Sequence, residues 1–177
     1  METSSHSPVL NMLIEGAILE HMPAIHLRPF KPGDEAAFRS LNEAWIAKYF
    51  VIEEADHAVL EYPVENILEP GGHIFMALID DRPIGCCALL PMGPGEFELA
   101  KMAVLESERG HGTGRKILEY AIAQAKKLGA ERLYLETNRK LANAIHLYES
   151  VGFRHVSPEQ VIPSPYARAN VFMEMKI

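Results

Sequence analysis

Arg109, Gly110, His111, Gly112, Thr113, Gly114 and Arg115 form the stretch of this chain whose residue types and spacing best suit chemistry. Three glycines at alternate positions let a backbone come close to a ligand, and two arginines supply positive charge. The stretch lies between a predicted strand and a predicted helix. There the unpaired N–H groups of the first helical turn and the helix dipole favour an anion. The spacing excludes two familiar phosphate loops. A dinucleotide fingerprint needs G-x-G-x-x-G, but the glycines run 110, 112, 114. A P-loop needs Gly-Lys-Ser/Thr after glycine and four residues, and the fifth position after Gly110 is Arg115. Two readings remain: a glycine-rich turn that merely starts the helix, and a backbone cradle for one phosphorylated small molecule.

The elements that position this loop follow from periodicity. Alternating apolar residues predict strands at 25–30, 73–79, 84–90 and 96–105, with turns at Lys31-Pro32-Gly33-Asp34 and Asp80-Asp81-Arg82-Pro83. Phe38, Leu41, Trp45 and Tyr49 recur at helical spacing after Asp34, which is placed to cap that helix. A weaker helix spans 55–68 and stops at Pro70-Gly71-Gly72. A further helix over 112–128 buries Ile117, Leu118, Ala121, Ile122, Ala125 and Leu128, and Gly129 ends it. A strand at 133–136, a helix at 141–151, a short strand at 153–156 and a closing strand at 169–177 complete the order. In the third meander strand, Phe97, Leu99, Lys101, Ala103 and Leu105 are read on one face, with Glu96, Glu98, Ala100, Met102 and Val104 on the other. The fold class is mixed α and β (α+β): an antiparallel meander followed by one βαβ-like passage, flanked by helices. Residues 1–23 carry none of these patterns and are read as an N-terminal extension to a domain at 24–177.

Composition bounds the function. At 177 residues a single domain removes roughly 70% of its extended surface from water, enough for a core without staples. A net charge of −7, with nothing nearer to a basic stripe than the short group Arg109, Arg115 and Lys116, argues against nucleic acid as partner. No apolar run reaches the ~18 residues of a membrane span, and 9–19 lacks the basic flank of a signal peptide, so a cytoplasmic protein with no membrane partner is expected. Cys86 and Cys87 are adjacent, so they point to opposite faces of a strand and do not suit an ordinary disulfide. The histidines are scattered without ligand spacing, and no metal site is expected.

With these motifs in view, the chain resembles the GNAT superfamily of acyl-coenzyme A-dependent N-acetyltransferases. Arg109 to Gly114 fits that family's Arg/Gln-x-x-Gly-x-Gly/Ala loop, and Lys101-Met102-Ala103-Val104 fits the strand before it. Downstream, Ala144-Ile145-His146-Leu147-Tyr148-Glu149-Ser150-Val151-Gly152-Phe153 fits the Ala-Ile-x-Leu-Tyr-x-x-x-Gly-Phe signature. The likeness runs from about residue 25 to residue 177, element order included.

The resemblance implies roles. Acetyl-coenzyme A would lay its pyrophosphate on N–H groups from Gly110 to Arg115 and pair its pantetheine arm with Met102, Ala103 and Val104. A backbone N–H there would face the thioester oxygen. Tyr148 matches the tyrosine that protonates the departing sulfur, although with Leu141, Ala144 and Ile145 it also lies on an apolar helix face. Many members carry asparagine where this chain has Leu141, and Asn138 and Asn143 are the nearby substitutes for holding the arm. Glu98 and Glu136 are the two candidates to take the proton of the amine, with Glu98 preferred, and His111 is expected to face solvent. The expected reaction is direct acetyl transfer to a primary amine of a small molecule, with no metal and no cysteine nucleophile. The rivals are transfer to a protein N-terminus or lysine, and a non-catalytic coenzyme A-binding module. A homodimer is allowed for.

Overall fold

The computed structural model describes residues 24–177; the extension read at 1–23 lies outside them. A seven-stranded sheet has the order β1-β2-β3-β4-β5-β7-β6. Strands β1 (His26–Pro29), β2 (His73–Ile79), β3 (Arg82–Gly93) and β4 (Glu96–Val104) form the antiparallel meander. Strand β4 then pairs in parallel with β5 (Arg132–Thr137) across helix α3 (Thr113–Lys127). Strands β7 (Val171–Lys176) and β6 (Arg154–His155) close the far edge.

Alternation along the strands feeds two apolar layers. Phe75 and Ala77 face one layer together with Ile117, Leu118 and Ala121 of α3, and helix α4 (Ala142–Val151) packs there through Ile145, Leu147 and Tyr148. Ile74, Met76 and Leu78 face the other, beneath helices α1 (Glu35–Tyr49) and α2 (Glu54–Glu61). Cys86 and Cys87 divide between the two layers, as adjacent strand residues must. Among the described residues no helix is long and apolar enough to cross a membrane.

Local chemistry moved several boundaries. The helix read at 55–68 is two pieces, because Pro63 cannot continue α2 and a π turn, Val64–Leu68, follows it. Asp34 stands at the N-cap of α1 without capping it, since its carboxylate holds Arg28 at 2.6 and 3.0 Å and accepts the Lys31 N–H. Leu128, read as buried, is 44% exposed where α3 ends.

The consequential departure is in β4. Cys86 pairs with Ala103 and Ala88 with Ala100, so one extra residue bulges out of β4 opposite Cys87. Lys101 sits there with φ +50°, a left-handed conformation that costs a non-glycine residue about 1 kcal/mol or more. A one-residue insertion reverses side-chain parity. Phe97 and Leu99 therefore share their layer with Met102 and Val104, while Ala103 goes to the opposite layer. The reading that put Phe97, Leu99, Lys101 and Ala103 on one face is corrected by that bulge. Past Glu98, β4 and β5 also part, because their register runs only from Glu96↔Arg132 to Glu98↔Tyr134.

Candidate active site

Where β4 and β5 separate, two concave spaces meet. A groove of about 580 Å³ runs along α3 and α4, lined by Met102, Val104, Arg109, Gly110, Gly112, Gly114, Arg115 and Asn143. A narrower cavity of about 100 Å³ lies on the α1 side and holds Glu98, Glu136, Lys101, Phe50 and Tyr166. Trp45, Met102, Leu141 and Tyr148 line both, so they form the seam.

The groove is built to receive an anion at the start of α3. Gly112, at the N-cap, has φ +79°, and Gly110 has φ +81°. A Cβ on either would meet nothing within 4 Å, so the space above both glycines is open. The Lys116 N–H is the first to return to Gly112 O, which leaves the preceding amides pointing out of the helix end. Arg109 reaches back to Val104 O at 2.9 Å and to the Tyr49 hydroxyl at 3.3 Å, and thereby straps the loop to the end of β4. Arg115 is exposed at the rim and donates to Ser150 Oγ at 2.7 Å. This cradle of free amides and positive charge fits a pyrophosphate.

The other expected positions differ in their use. Ala103 is buried away from the groove, so only its backbone is available to a ligand. Thr113 is buried too, and its hydroxyl has no partner, but it does not line the groove. His111 is exposed, as expected. Asn138 lines the cavity, where its amide donates to Arg168 O at 2.6 Å and its oxygen accepts the Lys140 N–H at 2.9 Å. It shapes the turn into α4. Asn143 stands exposed on the groove wall.

In the cavity, the carboxylates of adjacent strands face the same space. Burial and the neighbouring Glu136 charge push the Glu98 carboxyl up to about 7, against a smaller opposing pull from Lys101. Burial also raises Glu136, but Ser164 Oγ donates to its Oε2 and offsets part of that rise. Tyr148 lies between the spaces with its ring edge-on to Phe153 at 6.0 Å. Burial, with a contribution from Cys87, raises its hydroxyl above the ordinary value, so it stays protonated at neutral pH.

An ion network that the sequence reading missed forms the cavity's far wall. Asp56, fully buried in the first turn of α2, takes both Arg168 guanidinium nitrogens at 2.7 and 2.8 Å and Lys101 Nζ at 2.9 Å. Glu53 accepts from Arg168 at 3.1 Å, and the Lys101 and Arg168 cations lie 4.5 and 4.4 Å from the centre of the Tyr166 ring. Burial alone would raise Asp56, but Arg168 and Lys101 outweigh it and hold the carboxyl at about 2. The one available signal was Lys101, the single cation in its strand.

The cysteines stand nearer the site than their sequence positions suggested. Cys87 Sγ is 3.8 Å from Ala100 O and Cys86 Sγ is 3.5 Å from Lys101 O. Both are fully buried, and burial pushes Cys86 up to about 12 and Cys87 higher still. Neither supplies a thiolate nucleophile at neutral pH.

Comparison with known proteins agrees with this architecture. Residues 34–153 match the Acetyltransferase (GNAT) family. The uncharacterized N-acetyltransferase YjgM of Escherichia coli is 35% identical over 117 residues, covering 62% of this chain and 70% of that protein. The uncharacterized N-acetyltransferase C1271.07c of Schizosaccharomyces pombe is 34% identical over 139 residues, 76% of this chain and 85% of that one. A GNAT acetyltransferase structure from Staphylococcus aureus superposes with a TM-score of 0.78 at 22% identity, covering 86% of this chain and 99% of that one. The PaiA N-acetyltransferase of Thermoplasma acidophilum, solved in complex with coenzyme A, superposes at 0.67 and 18% identity, over 87% and 99%. This chain is a member of the GNAT family of N-acetyltransferases and an acyltransferase enzyme.

Proposed function

We propose that the protein transfers an acetyl group from acetyl-coenzyme A directly to a primary amine of a small molecule. The observation that carries this reading is the seam: a phosphate-suited groove and an acidic cavity share Trp45, Met102, Leu141 and Tyr148. The complexes of two structural relatives with coenzyme A support the choice of donor. The cavity's small size, and the loop at 158–170 that packs over it, favour a small acceptor over a protein surface.

The chain's own groups divide the work. Free amides at the start of α3 hold the pyrophosphate, and the unpaired edge of β4 past Glu98 receives the pantetheine arm. An ammonium group with pKa near 10 must lose a proton before it attacks. Glu98, with its carboxyl near 7, is a base matched to neutral pH and accepts that proton directly or through one water. The amine nitrogen bonds to the thioester carbonyl carbon, and the carbon–sulfur bond breaks. Tyr148 gives its proton to the departing sulfur, and the second proton that the nitrogen sheds as it becomes an amide returns to Tyr148 through water. Glu136 is the lesser candidate for base, because Ser164 already occupies one of its oxygens.

Release of free thiol from acetyl-coenzyme A across a panel of small amines and peptides tests the reading. Turnover with small amines is expected. Turnover only with peptides, or with nothing in the panel, would contradict it.

A further inference from the structure

The cavity's charged groups differ in what they leave open to a ligand. Two cations line it, Lys101 and Arg168, and neither is free to meet a ligand. Lys101 is tied to Asp56 at 2.9 Å and the Tyr166 hydroxyl at 2.8 Å. Arg168 forks onto Asp56 and also holds Glu53. Each cation also lies within 4.5 Å of the centre of the Tyr166 ring, so these side chains are fixed from several directions. The two carboxylates are in the opposite condition. Glu98 has no hydrogen-bond partner among the described residues, and Glu136 has only Ser164, on one of its two oxygens.

Register adds a length. Glu98 lies opposite Tyr134 across the β4–β5 ladder, and Glu136 is two residues further along β5. Two strand residues advance about 7 Å, and neighbouring strands lie about 5 Å apart, so the two backbone positions stand roughly 8 Å apart. Trp45, Phe50 and Tyr148 supply apolar and aromatic wall to the same cavity. The cavity, about 100 Å³, suits a short chain.

Building on the acceptor reading above, we propose that the acceptor is a short-chain diamine without a carboxylate or phosphate. One nitrogen is delivered to the seam as the free base after losing its proton to Glu98. The other remains an ammonium and donates to the open oxygen of Glu136, which makes Glu136 a specificity-determining residue. The methylenes between them lie on the aromatic wall, where a cation and its adjacent CH₂ groups are both well received. An amino acid of the same length would bring a third carboxylate into a space whose cations are already bound, and like charges in one partly buried site repel.

Thiol release from acetyl-coenzyme A with three chain-matched acceptors tests this: a diamine, the monoamine with a methyl in place of the second nitrogen, and the ω-amino acid. For the unaltered protein kcat/KM should favour the diamine over the monoamine by about tenfold or more, the range of one hydrogen bond to a charged group, with the amino acid poorest. The isosteric Glu136→Gln should narrow the diamine-to-monoamine ratio about tenfold, chiefly through KM for the diamine. A merely structural effect would lower both acceptors together and leave their ratio unchanged. Equal rates on diamine and monoamine, a preferred amino acid, or an unchanged ratio in Glu136→Gln would overturn the inference while leaving small-amine acetylation standing. No thiol release with any small amine would overturn both.

Discussion

Glu98 and Glu136 have the same side chain on neighbouring strands, and their surroundings assign them different work. Glu98 is the more deeply buried and feels the Glu136 charge, so its proton leaves near pH 7. If it is the base, the rate should rise with pH through about 7 as the carboxylate forms. Glu98→Gln should remove that inflection, and activity should partly recover toward pH 10, where the free amine is abundant. A retained inflection near 7 in a pH–rate profile of the variant would give the role to another group. Tyr148 is tested by removing one atom. Tyr148→Phe keeps the edge-on contact with Phe153, so melting temperature should hardly change, whereas turnover should fall about 10²-fold. A fully active Tyr148→Phe enzyme would make the ring a packing residue and solvent the proton source.

At the scale of elements, the loop entering α3 and the bulge in β4 do the positioning. Gly112 and Gly129 share a left-handed backbone, φ +79° and +77°, and each has open space where a Cβ would go. Valine at either should strain the backbone alike, by about 1–2 kcal/mol. Only Gly112→Val places atoms where the pyrophosphate belongs. Calorimetric titration with coenzyme A should therefore show weakened binding in Gly112→Val and unchanged binding in Gly129→Val. These glycines, the succession of elements along the chain and the helix carrying Tyr148 were legible because turn chemistry and periodicity are local. The bulge was not. Strict alternation from Phe97 to Leu105 reads as one unbroken strand, and one extra residue opposite Cys87 is set by pairing with β3 rather than by any local residue preference. The shared layer of Leu99 and Met102, and the placement of Lys101 beside Asp56, could not be read without it. The Asp56–Arg168 pair was hidden for a similar reason, since it joins residues 112 positions apart through a loop without regular periodicity.

For the whole molecule, that pair ties α2, the β4 bulge and the loop before β7 into one unit around the acceptor cavity. The Asp56 carboxyl is held at about 2 in the folded chain, below its ordinary value of 3.8. Its contribution, about 2 kcal/mol, is present above roughly pH 4 and is lost as the pH falls toward 2. Asp56→Asn should lower stability at neutral pH by about 3–5 kcal/mol, because it strands two cations, and should flatten the acid limb of the melting temperature. An unchanged acid limb would place the acid-sensitive group elsewhere. The central claim is that donor and acceptor are bound together, one in the groove and one in the cavity, when the acetyl group crosses at Met102 and Tyr148. Initial rates measured over a grid of acetyl-coenzyme A and amine concentrations test it most directly. Transfer within a ternary complex predicts double-reciprocal lines that intersect; parallel lines, the signature of a covalent acetyl-enzyme, would contradict the account.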